Sequence, residues 1–533
     1  MNNTTIMKKV IAIALAAILV LGTIITLKIY GSNDSTTSSE VESTKNISSE
    51  NLGDYEAIFE KDNVIDINVE IAEEDLESIL DDPMAEEYKS ATVTVDGVTL
   101  DNVGFRTKGN LTLKSVANSD SERYSFRIKL DKYVDGQDLL GLDEFVVNNM
   151  YSDPSYMREY LSYEALRETG EDVPLTTFAN VYVNGELYGF YLMVEAIDDS
   201  FLERSFGDDS GNLYKAEKGS TLQYAEGSEY DSLELKSGKD ETKTNLQNFM
   251  KTLNEVSEGE KGDIESVLDV DSALRYIAAN TVLGNYDSYS GNMAQNYYLY
   301  EQDGKFTVIP WDYNMSMGGF GGGDQTTIPI DEPVFGVNIE SLPLIDNLLQ
   351  IEEYKDTYYK YINELLDYLE RFEGRVTELA DIIEPYIEAD PSKFYTMEQF
   401  EANITYSEDN TDVISNASEN INSKPENEAL PQEVDKTSST SHDMNRNSPD
   451  GLQEQSPQDM PRDFEDGDRP QPPYEGMGDN MKGRPGGGMG MMGNSTSIIN
   501  FIRDRAENIK QQLAGELPTT GNTTIKNMGR NDR

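Results

Sequence analysis

The sequence predicts an α+β fold, with a sheet-rich region at 56–197 followed by a mostly helical region at 198–401. Three observations lead to this prediction. Apolar residues alternate at a spacing of two in several segments before residue 197, as in strands with one buried face. Beyond residue 198 the apolar residues recur at helical spacing instead. The helical pattern returns at 496–515, where we expect a helix that packs on the helical region.

The sheet-rich region begins with the alternating segment "VIDINVEI" (64–71), and a short acidic helix, "AEEDLESIL", follows it. In "ATVTVDGVTL" the dipeptide Asp96-Gly97 lies between two alternating runs, which indicates a tight hairpin. "RYSFRIKL" places its apolar residues on one face and Arg127 and Lys129 on the other. These segments predict an antiparallel arrangement joined by short turns.

The second half of the sheet-rich region contains one helix between two strand-like segments. "DEFVVNNM" is typical of a strand, and "DPSYMREYLSYEALRETG" predicts a helix from near Ser155 to a stop at Gly170. "FANVYVNGELYGFYLMVEAID" predicts a hairpin that turns at Asn184-Gly185, a strong type I′ signal.

The helical region contains one further hairpin. "NYYLYEQDGKFTVIPWD" alternates on both sides of an Asp-Gly turn and ends at Trp311-Asp312. The helices are predicted at 243–257 and 271–284 before this hairpin and at 344–371 and 374–388 after it.

The remaining segments predict a membrane anchor and unstructured connections. Lys8 and Lys9 precede an uncharged apolar run over 10–27, so residues 1–30 indicate an uncleaved signal-anchor with the bulk of the chain outside the cell. A cleaved secretory peptide is the alternative. Composition predicts a flexible stalk at 31–55, a disordered insertion at 402–495 and a tail at 516–533.

The composition excludes several classes of chemistry. The chain has 43 basic and 99 acidic residues, a net charge of −56, which disfavours nucleic acid as a partner. There is no cysteine, and the single histidine, His442, lies in a polar stretch without pattern. Thiolate and serine–histidine catalysis and histidine-bound transition metals are therefore excluded, which leaves carboxylate, amide and cationic side chains with a hard ion such as Mg²⁺ or Mn²⁺.

One constellation of polar residues suggests a specific chemistry. Asp287 follows a predicted helix, Asn292 and Asn296 follow within the same loop, and the hairpin then leads to Asp312 and a glycine-rich segment. The order of an acid, an amide, a hairpin and a second acid is that of a kinase catalytic loop and metal-binding segment. Asp287 would then be the catalytic acid, and Asp312 with Asn292 or Asn296 would hold the metal. The alternative is that Asp287 and Asp312 only stabilise turns.

Five segments in order resemble successive motifs of the CotH kinase family, the spore-coat protein H-like atypical kinases. They are "YSDPSYMREYLSYEALRETG", "VYVNGELYGFYLMVEAIDDSFLER", "GNLYKA", "GNYDSYSGNMAQNYYLY" and "VIPWDYN". The resemblance implies a divergent two-lobed protein-kinase-like fold, with a sheet-rich N-lobe and a mostly helical C-lobe. It also implies binding of ATP with Mg²⁺ or Mn²⁺, phosphorylation of protein, and the roles given above for Asp287 and Asp312.

The nucleotide contacts are predicted less directly. Lys129, on the polar face of its strand, is the candidate for the lysine that binds phosphate, with Glu164 or Glu159 as its partner on the helix. In "FRTKGNLT", Arg106 and Lys108 could face phosphate. Glu195 follows a strand where a kinase places the segment that binds adenine.

The sequence is compatible with two functions. The first is a membrane-anchored protein kinase that acts outside the cytoplasm on a basic, Ser/Thr-rich protein substrate. The second is a catalytically silent scaffold or adhesin of the cell surface or coat. Retention of Asp287, Asn292 and Asp312 in this order favours the enzyme, because a scaffold has no need of them.

Overall fold

The computed structural model describes residues 55–240, 242–257, 259–321, 324–408 and 496–521. Eleven strands occur in this part of the chain. The strands are β1 (Val64–Ile71), β2 (Lys89–Val95), β3 (Val98–Lys108), β4 (Ser125–Lys129), β5 (Glu144–Asn148), β6 (Thr176–Val183), β7 (Glu186–Glu195), β8 (Asn212–Ala216), β9 (Leu233–Ser237), β10 (Tyr297–Gln302) and β11 (Lys305–Pro310).

The first seven strands close into a barrel in the order β1-β2-β3-β4-β5-β7-β6. Neighbouring strands are antiparallel except at the closure, where β1 pairs in parallel with β6, for example Ile67 with Val181. The predicted hairpin turns are confirmed, because Asp96 and Gly97 join β2 to β3 and Asn184 and Gly185 join β6 to β7. All four turn residues have positive φ, as a type I′ turn requires.

Eleven α-helices also occur in the described part of the chain. They are α1 (Glu73–Asp81), α2 (Leu111–Ala117), α3 (Arg158–Glu168), α4 (Asp199–Phe206), α5 (Thr244–Glu255), α6 (Val270–Leu283), α7 (Pro343–Leu349), α8 (Glu352–Leu369), α9 (Phe372–Ala389), α10 (Met397–Asn403) and α11 (Ile498–Leu513). The helix predicted at 344–371 is thus two helices, and the others lie close to their predicted positions. A second sheet of four strands, in the order β11-β10-β8-β9, lies among these helices in the chain order.

Two hydrophobic cores share the barrel strands. Residues such as Phe126, Ile128 and Val147 fill the inside of the barrel. On the outside, Val146 and Val194 belong instead to the core formed with the helices and the second sheet. Successive side chains on a strand point to opposite faces, so one strand can serve both cores. The outer face of the barrel is therefore buried where the helices cover it.

A buried ion pair connects the barrel to the helical part. Arg123, just before β4, pairs with Asp390, just after α9, and both side chains are fully buried. The Arg123 guanidinium also donates to the carbonyls of Asn149 and Phe190, and the backbone N–H of Phe190 donates to Asp390. These bonds satisfy both charges inside the protein, which a buried pair needs in order to be stable.

The final helix, α11, is held against the helical part by both side-chain and backbone contacts. Arg505 is fully buried and donates hydrogen bonds to the carbonyls of Thr281, Thr326 and Ile328. At the start of α11, Asn500 exchanges two hydrogen bonds with the backbone of Ser407. The residues on either side of the stretch 409–495 therefore lie side by side.

The predicted divergent two-lobed protein-kinase-like fold is wrong. The strands do not form the open sheet of an N-lobe, because the parallel pairing of β1 with β6 closes them into a seven-strand barrel. The described residues also belong to a single compact unit, and the outer face of the barrel shares one core with the helices.

Several predicted segments lie outside the described residues: the signal-anchor at 1–30, all of the stalk at 31–55 except Tyr55, most of the insertion at 402–495 and most of the tail at 516–533. Among the helices that the structure describes, none has the length and apolar character needed to cross a membrane.

Candidate active site

A group of polar side chains meets on the outer face of the barrel, where α3 and the second sheet cover it. Lys108 ends β3, Asn148 ends β5, and Glu159 lies in the first turn of α3. Asp312 follows β11 by two residues. Lys108 and Arg127 lie on the same outer face, because Lys108 pairs with Ser125 and Arg106 pairs with Arg127 across β3 and β4.

Lys108 is held by a chain of hydrogen bonds. Its Nζ donates to Oδ1 of Asn148 over 2.9 Å, and the Asn148 amide donates to Oε2 of Glu159 over 2.8 Å. The same Nζ lies 5.8 Å from the ring centre of Trp311, which is a cation–π distance. Burial lowers the pKa of Lys108, while Asp312 and Glu159 act in the opposite direction. The ammonium is thus fixed in place and lies within the field of both carboxylates.

Asp312 occupies an unusual backbone conformation. Its φ is 57°, in the left-handed region, and its backbone N–H donates to the Tyr163 hydroxyl over 3.0 Å. Strained backbone of this kind often marks functional positions. Burial raises the pKa of the Asp312 carboxyl, and the positive charges of Lys108 and Lys215 oppose the rise. A cation bound at this carboxylate would relieve the same cost.

Asp287 lies in the loop that follows α6. The side-chain amide of Gln295 donates to Oδ1 of Asp287 over 2.9 Å, and the amide of Asn296 donates to the Asp287 carbonyl over 2.6 Å. Burial, together with the negative charge of Asp312, raises the pKa of Asp287 to about 7. The structure therefore brings the two predicted acids into one electrostatic environment, and it orients Asp287 with two amides.

The loop that carries Asp287 is fixed by close backbone contacts. A Cβ on Gly291 would lie 1.8 Å from the Tyr286 carbonyl oxygen, so no other residue fits there. Gly284 ends α6 with a φ of 62°, and a Cβ at this position would lie 2.3 Å from the Phe501 ring of α11. The helix α11 thus packs directly against the start of this loop.

The two asparagines considered as metal ligands have different surroundings. Asn296 is half-buried, has a φ of 60° and holds the Asp287 backbone through its amide nitrogen. That bond uses the amide nitrogen and not the side-chain oxygen. Asn292 is exposed and lies beside Gly336. Of the two, Asn296 is therefore the one directly connected to Asp287.

Lys129 and Arg106 are not brought into this cluster. Lys129 lies at the opposite end of β4, opposite Gly104, and its Nζ pairs with Asp131 over 3.0 Å. Arg106 pairs with Glu86 and stacks over the Tyr88 ring at 4.9 Å. The lysine that interacts with Asp312 and Glu159 is the half-buried Lys108. It lies four residues from Gly104 along β3, which is about 13 Å on an extended strand.

Glu195 and Glu164 are engaged in structural ion pairs. Glu195 is fully buried, pairs with Arg204 over 2.8 Å and accepts a hydrogen bond from the backbone N–H of Leu175. Glu164 accepts from Arg375 over 2.7 Å and from the Tyr368 hydroxyl. Of the two acids considered on α3, Glu159 is the one that faces Lys108, and its pKa is raised to about 8 by burial and by Asp312.

The donor set suits a magnesium-like ion that retains other ligands. Among the described residues, no three Asp, Glu, His or Cys side chains gather closely enough to form a complete metal cage. Asp312 supplies one carboxylate, and Asn296 could supply an amide oxygen. Mg²⁺ is commonly bound by one or two carboxylates together with water and substrate phosphates, so this smaller set is sufficient.

Comparison with known proteins confirms the resemblance to the CotH kinase family. A family model described as "CotH kinase protein" matches residues 105–420. The chain is also similar to the inner spore coat protein H of Bacillus subtilis (strain 168), with 29% identity over 274 residues. This alignment covers 49% of the chain and 73% of the relative. The matched range of the family model includes Lys108, Glu159, Asp287 and Asp312.

Proposed function

This chain belongs to the CotH kinase protein family, and on that premise we propose that it transfers the γ-phosphoryl group of ATP to Ser or Thr of a protein, with Mg²⁺ or Mn²⁺. The observation that carries the proposal is the convergence of Asp287, Asp312 and Lys108. The half-buried carboxyl groups of Asp287 and Asp312 are close enough for Asp312 to raise the pKa of Asp287, and the half-buried Lys108 ammonium interacts with Asp312. Perturbed acids around a cation are typical of catalytic sites.

Each side chain has a role that its surroundings support. When bound, the nucleotide supplies the phosphoryl group, and the divalent ion offsets the charge on its oxygens. Lys108 binds phosphate oxygens, and Asn148 and Glu159 hold its ammonium in position. Asp312 holds the ion.

Asp287 orients the acceptor hydroxyl and takes its proton. The two amides of Gln295 and Asn296 keep Asp287 in the required position. A base with a pKa near neutrality is well matched to this task, because it is substantially ionised at pH 7 and still accepts a proton. Phosphoryl transfer relies mainly on positioning and charge, so the absence of cysteine and of a patterned histidine is no obstacle.

The substrate is proposed to be a basic, Ser/Thr-rich protein of a coat or cell surface. The relative's name places that protein in the inner spore coat, and the net charge of −56 favours cationic partners. The proposed location of this chain is accordingly the cell surface or a coat.

The test is incorporation of labelled phosphate from ATP into a basic Ser/Thr-rich protein, with Mg²⁺ or Mn²⁺. Asp287→Asn should lower transfer by about 10²–10⁴-fold and leave nucleotide binding intact, because its carboxylate acts on the hydroxyl. Asp312→Asn should weaken metal-dependent ATP binding as well as transfer. Asp367→Asn, an exposed acid on α8, is the matched control and should behave as wild type. Wild-type rates in both site variants would contradict the assignment.

A catalytically silent coat scaffold is the second candidate. The observation that favours it is the relative's name, which describes a coat protein and no activity. A scaffold would fail to incorporate phosphate with either metal ion. In that case wild type, Asp287→Asn and Asp312→Asn would be equivalent in assembly on the surface.

A further inference from the structure

Lys215, on strand β8 of the second sheet, lies next to aromatic residues of the candidate active site. It pairs across the strands with Tyr298 of β10, so both side chains lie on the same face of the sheet. The Tyr298 ring meets Trp311 edge-on at a centroid distance of 5.8 Å. Lys108 lies on the same indole, with Nζ 5.8 Å from its centre. Lys108 therefore flanks the Tyr298–Trp311 pair on the side of the barrel, and Lys215 flanks it on the side of β8.

The charge of Lys215 reaches the site from this position. It interacts with the charges of Asp312 and Lys108, which are the two groups that the proposed function assigns to the metal ion and the phosphates.

The structural partner of Lys215 does not hold it tightly. Its Nζ pairs with Glu217 over 2.7 Å, but the Glu217 side chain is 47% exposed. Exposed ion pairs contribute little to stability, so Lys215 can leave Glu217 at small cost. The neighbouring strand β9 contains a similar pair, Lys236 with Glu234 at 3.0 Å, one strand farther from Trp311. The Lys236–Glu234 pair is therefore a matched comparison for a surface lysine on the same sheet.

We infer that Lys215 binds phosphate oxygens of the nucleotide, as the second cation of the phosphate site opposite Lys108. The inference rests on the proposed function, since it assigns a residue to the site of the same nucleotide. Asp287 and Glu159 each interact with Asp312, the proposed metal ligand. A triphosphate bound there would add its own negative charge, and Lys108 alone would offset only part of it. A second ammonium on the opposite side of the aromatic pair would offset more. Lysine is well suited to this role as a compact point charge.

The built-in probe for the test is Trp311, the single tryptophan of the chain. Its fluorescence can report the binding of Mg-ATP, inorganic triphosphate and adenosine to the full-length protein. Lys215→Met should weaken Mg-ATP and triphosphate by about tenfold or more, as expected for the loss of one charge-assisted hydrogen bond. Adenosine binding should not change, and Lys215→Arg should retain most of the phosphate affinity.

Two variants separate this role from a surface ion pair. Glu217→Gln breaks the same pair while keeping the Lys215 charge, so it should leave Mg-ATP affinity unchanged or slightly higher. Lys236→Met removes the matched lysine on β9 and should have no effect. If Lys215→Met binds Mg-ATP like wild type, or if Glu217→Gln weakens it equally, the inference is overturned. Equal losses for adenosine and Mg-ATP would also overturn it, since they would indicate a general disturbance of the site.

Failure of the inference is distinguishable from failure of the proposed function. If the wild-type protein and Lys215→Met both transfer phosphate and bind triphosphate with equal affinity, only the role of Lys215 is rejected. If the wild-type protein transfers no phosphate but Lys215→Met still loses affinity for triphosphate, the kinase activity is rejected. The phosphate site is then retained.

Discussion

Lys108 and Glu159 are joined through the side-chain amide of Asn148, which accepts a hydrogen bond from the lysine and donates one to the glutamate. The two charged groups come from different parts of the fold, one from the end of a barrel strand and one from α3. Asn148 fixes the direction of both, because an amide can accept and donate at the same time. The position of the ammonium therefore depends on the packing of α3 against the barrel.

We expect Lys108→Met to weaken Mg-ATP binding and Lys129→Met to leave it close to wild type. Lys108 lies beside Asp312, whereas Lys129 pairs with Asp131 at the far end of β4. Fluorescence titration of both variants provides the measurement. A loss of affinity confined to Lys129→Met would show that the lysine predicted from the sequence is the correct one.

Asp287 should destabilise the protein at high pH in the absence of nucleotide and metal. Its pKa in the folded protein is about 7, above the ordinary value of 3.8. The folded state therefore binds more protons than the unfolded state between these values, and the stability from this group is lost as the pH rises through about 7. Asp287→Asn removes the buried charge, so it should raise Tm relative to wild type more at about pH 8.5 than at about pH 5.

The size of this effect follows from the shift. Each unit of pKa shift changes the free energy of unfolding by about 1.4 kcal/mol. A change of 1 kcal/mol shifts Tm by about 2–4 °C in a domain of 150–250 residues, and by less in a larger domain. Thermal melts of Asp287→Asn and the control Asp367→Asn at both pH values provide the measurement. An equal difference from wild type at the two pH values would show that the Asp287 carboxyl is not perturbed.

The pair of Arg123 and Asp390 should be essential for stability. Both side chains are fully buried, so Arg123→Ala leaves an unpaired charge inside the protein, at a cost of about 3–5 kcal/mol. The exposed pair of Arg371 and Glu168 is the matched control, and Arg371→Ala should cost less than about 1 kcal/mol. Denaturant unfolding measures both. Similar midpoints for the two variants would contradict a coupling of barrel and helices through Arg123.

Substrate preference should depend on charge and on salt. Ser or Thr peptides flanked by Lys and Arg should have a lower KM than acidic ones, because the chain carries a net charge of −56. The difference should shrink as the Debye length falls from about 10 Å at 0.1 M salt to about 3 Å at 1 M. Kinetics with peptide pairs that differ only in flanking charge test this, and equal KM values at low salt would contradict it.

Local features of the fold could be predicted from the sequence, but closure of the barrel could not. The Asp-Gly and Asn-Gly turns fix their hairpins within a few residues, which is why β2, β3, β6 and β7 lie where they are predicted. The pairing of β1 with β6 joins residues such as Ile67 and Val181, far apart along the chain. No turn or spacing in the sequence records a pairing of this kind.

The candidate site shows the same division. Asp287 and Asp312 could be predicted together because they flank one hairpin, whose strands bring its two ends close. Lys108 could not be separated from Arg106 or Lys129 by strand alternation alone, since all three lie on the outer face of the barrel. What distinguishes Lys108 is the cover provided by α3 and Trp311, which is a consequence of tertiary packing.

Because Ser407 and Asn500 lie side by side, we expect the site to form even when the chain between α10 and α11 is not continuous. The two residues hold each other through hydrogen bonds to the Ser407 backbone, and Arg505 anchors α11 on a carbonyl of α6. We therefore expect two separately made polypeptides, one ending at Glu408 and one beginning at Thr496, to reassemble by fragment complementation. The proposed activity would then depend on the concentration of the shorter peptide, so adding the segment that contains α11 would switch it on.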